Sequence, residues 1–177
     1  MSAQVSIVMG SDSDLPVMRE AAVVLRELDI AFEVVITSAH RTPGDTESFA
    51  SGAAERGIKV IIAGAGGAAH LPGVIAAYTN LPVIGVPIKT SGLGGVDSLY
   101  SIVQMPGGVP VASMAINGAK NAGIFAAQIL ALESVQVEKR LEQFREAMAS
   151  QVREKNRHLS TVGIEKYLQE KDGSSTT

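Results

Sequence analysis

The chain has 177 residues, 46% hydrophobic but only 4% aromatic. That is enough apolar material for one ordinary domain with an appended arm, and too few rings for a surface that stacks on nucleic-acid bases. A net charge of -3 with no basic stripe excludes nucleic acid as a partner, so any phosphate handled here is carried by a small molecule. The absence of cysteine rules out disulfides, thiol nucleophiles and Cys-based metal sites.

The first residues, Met-Ser-Ala-Gln, lack the basic start and long apolar core of a secretory signal. No apolar run reaches the roughly 20 residues of a membrane-spanning helix, so a cytoplasmic protein without a membrane partner is expected. Val5 to Met9 is a β-rich run stopped by Gly10. From Leu15 to Leu28, residues Met18, Ala21, Ala22, Val24, Leu25 and Leu28 recur at helical spacing. Asp12, Ser13 and Asp14 are good caps for that helix, and Pro16 suits its first turn. Phe32 to Ile36 reads as a second strand and Pro43 to Glu55 as a helix ending near Gly57. Val60 to Ala63 is a third strand ending at Gly64, followed by a Gly/Ala loop and a helix from Leu71 to Tyr78. Pro82 to Val86 is a fourth strand and Asp97 to Gln104 a short helix. Val109 to Ser113 is a fifth strand, placed at an edge by Pro110, and an Ala-rich helix follows from Ala119 to Leu132.

Strand and helix alternating at this spacing specify an α/β protein, a three-layer doubly wound parallel sheet covered on both faces. Runs such as Val60-Ile61-Ile62 are apolar at every position, as a doubly covered strand must be. After Glu133 the pattern changes. Val137, Leu141, Phe144, Met148 and Val152 form one stripe among charged residues, a long C-terminal helical arm. Its stripe can pack on its own domain or on a neighbouring subunit. The expected organisation is a catalytic domain over 1–133, the arm over 134–171 and a disordered polar tail over 172–177.

In doubly wound sheets ligands bind outside the carboxyl ends of the strands. The first strand ends in Gly10-Ser11-Asp12-Ser13-Asp14, where hydroxyls and helix-start amides suit a phosphate and a carboxylate suits ribose hydroxyls. The second ends in Ser38-Ala39-His40-Arg41-Thr42-Pro43. Histidine is the side chain that can give and take a proton near neutral pH, and Arg41 can clamp a phosphate through parallel hydrogen bonds. The third ends in Gly64-Ala65-Gly66-Gly67-Ala68-Ala69-His70-Leu71, small enough for a ligand to lie against bare backbone. Each segment alone also reads as capping or turn chemistry. Together they put two imidazoles, a guanidinium, a carboxylate and several hydroxyls on one edge, which favours a small-molecule site. There is no P-loop, no Gly-x-Gly-x-x-Gly after the first strand and no Gly-x-Ser-x-Gly elbow. Two histidines on separate loops without cysteine do not make a metal site. His158, in the arm, reads as a solvated helix residue. Lys89, Lys120 and Tyr100 are possible assistants that no spacing demands.

Gly-Ser-x-Ser-Asp at 10–14, Ser-Ala-His-Arg-Thr-Pro at 38–43, Gly-Ala-Gly-Gly-Ala-Ala-His-Leu-Pro-Gly at 64–73 and Asp-Ser-Leu-Tyr-Ser-Ile-Val-Gln-Met-Pro at 97–106 resemble the N5-carboxyaminoimidazole ribonucleotide mutases. These are the class I catalytic subunit of the carboxylase step in purine synthesis. The specific match runs from about Val5 to Leu132. The resemblance implies a flavodoxin-like fold, a homo-octamer, no metal, no cofactor, and functional coupling to a separate synthetase that makes the substrate. It implies conversion of N5-carboxyaminoimidazole ribonucleotide to 4-carboxy-5-aminoimidazole ribonucleotide. It casts His40 as the proton-transfer residue, with Ser11, Ser13, Asp14, Ser38, Ala39 and Arg41 binding the nucleotide. Gly64, Ala65, Gly66, Gly67, His70 and Leu71 would line the pocket for the migrating carboxyl group. The rival enzyme is a carboxylase of aminoimidazole ribonucleotide that uses CO2 directly. The non-enzymatic rival is a flavodoxin-like binding module, which for a flavin would want flanking aromatics.

Overall fold

The computed structural model describes residues 2–173. β1 (Val5–Met9) leads through a 3-10 turn at Asp12–Asp14 into α1 (Leu15–Glu27). Then come β2 (Phe32–Ile36), α2 (Pro43–Ser51), β3 (Val60–Gly66), α3 (Leu71–Tyr78), β4 (Val83–Ile88), α4 (Val96–Val103), β5 (Ala112–Ser113) and α5 (Ala119–Ala131). α6 (Val135–Val162) and α7 (Ile164–Gly173) follow. The strands lie in the order β2-β1-β3-β4-β5, all parallel. This is the flavodoxin-like order, in which the chain reverses direction across the sheet between β1 and β3 and opens a crevice at their carboxyl ends.

Both faces are covered, so the central strands carry apolar residues without alternation. Every residue of β1 is buried, as is β3 from Val60 to Ala65. On one face Val8, Ile61, Ala63 and Ala65 pack with Ala50 of α2, Ile75 of α3 and Ile102 of α4. α1 and α5 pair with each other on the other face, where Met9 and Ile7 meet Met18 of α1. β2, at the sheet edge, is only partly buried.

Several boundaries differ from the sequence reading. β3 does not stop at Gly64, where its pairing with β1 ends, but stays in register with β4 through Gly66, because the ladder to β4 holds extended even residues with little β preference. α2 ends at Ser51 and gives way to turns before Gly57, which sits at φ 92. β5 keeps only two residues at the far edge, consistent with Pro110 having no amide to donate. The arm is two helices. Gly163 adopts φ 79 and its N–H donates to Leu159 O, the left-handed stop that glycine permits.

By contact density the chain divides into Met1–Glu138 and Lys139–Thr177. The first unit holds the whole sheet and α1 to α5. In the second, Met148, Val152, Leu159, Ile164 and Leu168 are exposed, while His158 Nε2 lies 2.6 Å from Glu170 Oε2. Of the expected polar tail, 172–173 close α7, and 174–177 lie outside the described residues.

Candidate active site

The loop after β1 is set by Ser11. Its Oγ accepts from Ser13 N–H at 3.3 Å and caps the 3-10 turn. Asp14 stands at the start of α1 but makes no side-chain cap bond. Its carboxylate is therefore left for other partners, with Ser13 Oγ donating to it at 3.2 Å. Asp14 is buried. Burial pushes its pKa above the usual carboxylate value, the Ser13 hydrogen bond works against that, and the nearby Asp12 charge adds to the rise.

The loop after β2 is knitted by hydroxyls. Thr37 Oγ1 lies 2.9 Å from Thr46 Oγ1, both buried, and 3.3 Å from Thr42 Oγ1. Ser38 N–H donates to Thr42 Oγ1 at 3.0 Å, and Thr42 N–H donates to Ser38 O at 2.8 Å. This closed turn presents His40 and Arg41 at the sheet edge. Arg41 Nη2 donates to Gly10 O at 2.7 Å, and its Nε reaches Ser38 Oγ at 3.4 Å. One guanidinium thus spans two loops. Its planar fork carries five N–H donors, so it can tie the loops and still present donors to an anion.

The loop after β3 brings His70. His40 Nε2 and His70 Nδ1 are 2.7 Å apart, and the rings meet edge to face with centroids 4.9 Å apart. One of the two nitrogens must carry the hydrogen, so the tautomers of the two rings are linked.

These loops bound a cleft of about 420 Å³, within the range of small-molecule sites. Ser11, Ser13, Asp14, Ser38, Ala39, His40, Arg41, Ala65, Gly66, His70 and Leu71 all line it. Gly64 and Gly67, expected there, do not. Gly64 is glycine because a Cβ would fall 2.4 Å from Met18 Sδ, on the α1 side of the sheet. Gly67, at φ 66, donates its N–H to Ser98 Oγ at 2.9 Å, and its carbonyl accepts from Ser101 Oγ at 3.3 Å.

The cleft also takes in Gly10, Ala68, Ile88, Lys89 and Thr90. Ile88 ends β4, with Lys89 and Thr90 just beyond it, and the sequence reading stopped that strand two residues short. The strand-end rule that found the other loops would have found them had the strand been continued through Pro87. A larger groove of about 730 Å³ at the opposite edge has no charged lining residue, so size alone does not select a site. Among the described residues no group of three or more His, Cys, Asp or Glu is placed to hold a metal ion. No helix among them is long and apolar enough to cross a membrane.

A family model described as AIR carboxylase matches residues 4–151, reaching into α6 beyond the motifs that carry the sequence resemblance. The chain is 57% identical over 169 residues to the N5-carboxyaminoimidazole ribonucleotide mutase of Thermotoga maritima, covering 96% of this chain and 99% of that protein. It is 56% identical to the phosphoribosylaminoimidazole carboxylase of Candida glabrata, covering 94% of this chain and 29% of that longer one. The crystal structure of Treponema denticola PurE superposes with a TM-score of 0.79 at 28% identity, over 88% of this chain and 97% of that one.

Proposed function

The chain belongs to the AIR carboxylase family, and on that premise we propose that its cleft converts N5-carboxyaminoimidazole ribonucleotide to 4-carboxy-5-aminoimidazole ribonucleotide, an isomerase step of purine biosynthesis. The observation that carries the proposal is the His40–His70 contact at 2.7 Å in a cleft that also holds Arg41 and a buried carboxylate. Asp14 accepts from the ribose hydroxyls. Arg41, with Ser11, Ser13 and Ser38, binds the phosphate through charge-assisted bonds.

His40, as imidazolium, gives its proton to the carbamate nitrogen. The N–C bond then breaks and CO2 is released beside aminoimidazole ribonucleotide. The ring carbon attacks that CO2, and neutral His40 takes the ring proton. The same group serves as acid and then base, so no proton is consumed. Ala39, Ala65, Gly66 and Leu71 line this part of the cleft; their small or apolar side chains leave room for CO2 and offer water no side-chain hydrogen-bond partner. The chemistry needs no metal and no cofactor.

Further parts of the reading concern assembly and place. The exposed apolar residues of the arm, Met148, Val152 and Leu159, suit packing on neighbouring subunits of a homo-octamer. The arm from 134 to 171 is then an assembly element and 1–133 the catalytic domain. The chain works in the cytoplasm, and a separate synthetase supplies its labile substrate.

The test is a spectroscopic assay with two substrates offered separately. Fast product formation from the carbamate, and slow formation from aminoimidazole ribonucleotide plus CO2, supports the mutase. If only the second pair turns over at a useful rate, the protein is the direct carboxylase.

A further inference from the structure

Two serines on α4, away from the cleft lining, fix the loop that carries His70. Ser98 is fully buried. Its hydroxyl accepts from Gly67 N–H at 2.9 Å and donates to Ile88 O at 2.7 Å. One hydroxyl therefore joins the end of β3 to the end of β4, the two strands that form the back wall of the cleft. One turn further along α4, Ser101 Oγ reaches Gly67 O at 3.3 Å and Asp97 O at 2.8 Å.

Gly67 thus has both peptide groups held. Its carbonyl also accepts from Ala69 N–H at 2.8 Å, and His70 N–H donates to Ala68 O at 2.7 Å. These tight local turns carry the position of Gly67 directly to the His70 backbone, and His70 meets His40. Side-chain packing does not crowd Gly67, since a Cβ there would touch nothing within 4 Å. The wall is close-set as well. A Cβ on Gly66 would lie 3.5 Å from Ile88 Cβ.

We propose that Ser98, aided by Ser101, is a positioning residue for this reaction: it holds the β3 and β4 ends together so that released CO2 is retained and His70 stays in hydrogen-bond reach of His40. This rests on the mutase reading above. CO2 makes no strong polar contact that would hold it, so its capture depends on the wall staying closed for the time between N–C cleavage and C–C formation. Removing the Ser98 hydroxyl leaves the part-buried Gly67 N–H and the buried Ile88 carbonyl without this partner, and each gains by moving toward water. The wall then loosens, and CO2 escapes before the ring carbon attacks.

The diagnostic is the product ratio, which a merely structural role would not move. Wild-type protein and the Ser98→Ala and Ser101→Ala variants are given the carbamate substrate. Free aminoimidazole ribonucleotide and 4-carboxy-5-aminoimidazole ribonucleotide are both quantified, with the spontaneous decarboxylation blank subtracted. In Ser98→Ala the ratio of released to rearranged product should rise at least fivefold. Its kcat should fall about tenfold, with KM changing less than threefold. Ser101→Ala should show a smaller rise in the same direction. If Ser98→Ala does not fold by circular dichroism, the Ser101→Ala ratio decides. An unchanged ratio in a folded Ser98→Ala protein, or in Ser101→Ala where Ser98→Ala does not fold, overturns the proposal whatever happens to kcat. Histidine-ring 15N spectra separate its failure from that of the mutase reading. If the wild type does not use the carbamate, the functional reading fails. The positioning role then stands on a shifted His70 ring signal in Ser98→Ala, and falls if that signal is unmoved.

Discussion

Replacing Gly64 by alanine should destabilise the protein and leave its chemistry nearly intact. The added Cβ falls 2.4 Å from Met18 Sδ and 3.0 Å from Met18 Cγ and Cε. Reaching an ordinary contact of roughly 3.5 Å requires the sulfur to retreat by about 1 Å. Met18 is 1% exposed, so it has no solvent to move into, but its unbranched thioether can change rotamer. Overpacking a tight core costs about 1–3 kcal/mol, and a yielding methionine places this site near 1–2 kcal/mol. For a chain of this length that lowers the melting temperature by about 2–8 °C. Thermal melts at one fixed protein concentration read the loss, since assembly would otherwise shift the midpoint. A Met18→Ala change should cost less in the Gly64→Ala background than in wild type, because the new methyl fills part of the vacated space; the coupling should be about 1 kcal/mol. Turnover should stay within threefold of wild type, because the methyl points toward α1 and Gly64 does not line the cleft. A Gly64→Ala protein that melts within 1 °C of wild type yet loses turnover would refute this account and return Gly64 to the active site.

Other perturbations separate the roles proposed for the cleft. His40→Asn should keep nucleotide affinity within about threefold and lose about 10²–10⁴ in kcat, the usual worth of a positioned acid–base group; titration with the product nucleotide and steady-state kinetics check both halves. Arg41→Ala should weaken binding of the phosphorylated nucleotide by about 1.5–3 kcal/mol, the range for a hydrogen bond to a charged group, and calorimetry that finds unchanged affinity would contradict the phosphate role. Burial raises the pKa of Asp14 in the folded state, so the native protein holds that proton more tightly than the unfolded chain. Free-enzyme stability therefore falls as pH rises from the unfolded carboxylate value through the raised folded one. Asp14→Asn should accordingly raise the melting temperature at neutral pH, with the gain fading in acid, while weakening nucleotide binding; a lower neutral-pH melting temperature would reverse the assignment. Ser6 Oγ is buried in β1 with no hydrogen-bond partner among the described residues, so Ser6→Ala should be neutral or stabilising by up to about 1 kcal/mol in denaturant titration.

Apolar periodicity along the chain was sufficient for the layered parallel architecture and for most strand and helix positions, because those patterns report burial one residue at a time. The rule that ligands sit at strand carboxyl ends then puts Asp14, His40, Arg41 and His70 at one edge from sequence alone. Long-range contact decided the rest. His40 and His70 are 30 residues apart in sequence, and nothing local says that their rings touch. The glycines from 64 to 67 look alike in the sequence, yet one accommodates Met18, one lines the cleft and one is pinned by α4. The end of β4 joins the site because pairing with β3 carries the strand past Pro87. Ser98 gains its importance only from what lies on either side of it. Periodicity records which side of an element faces the core, whereas hydrogen bonds across the fold depend on where distant segments come to rest.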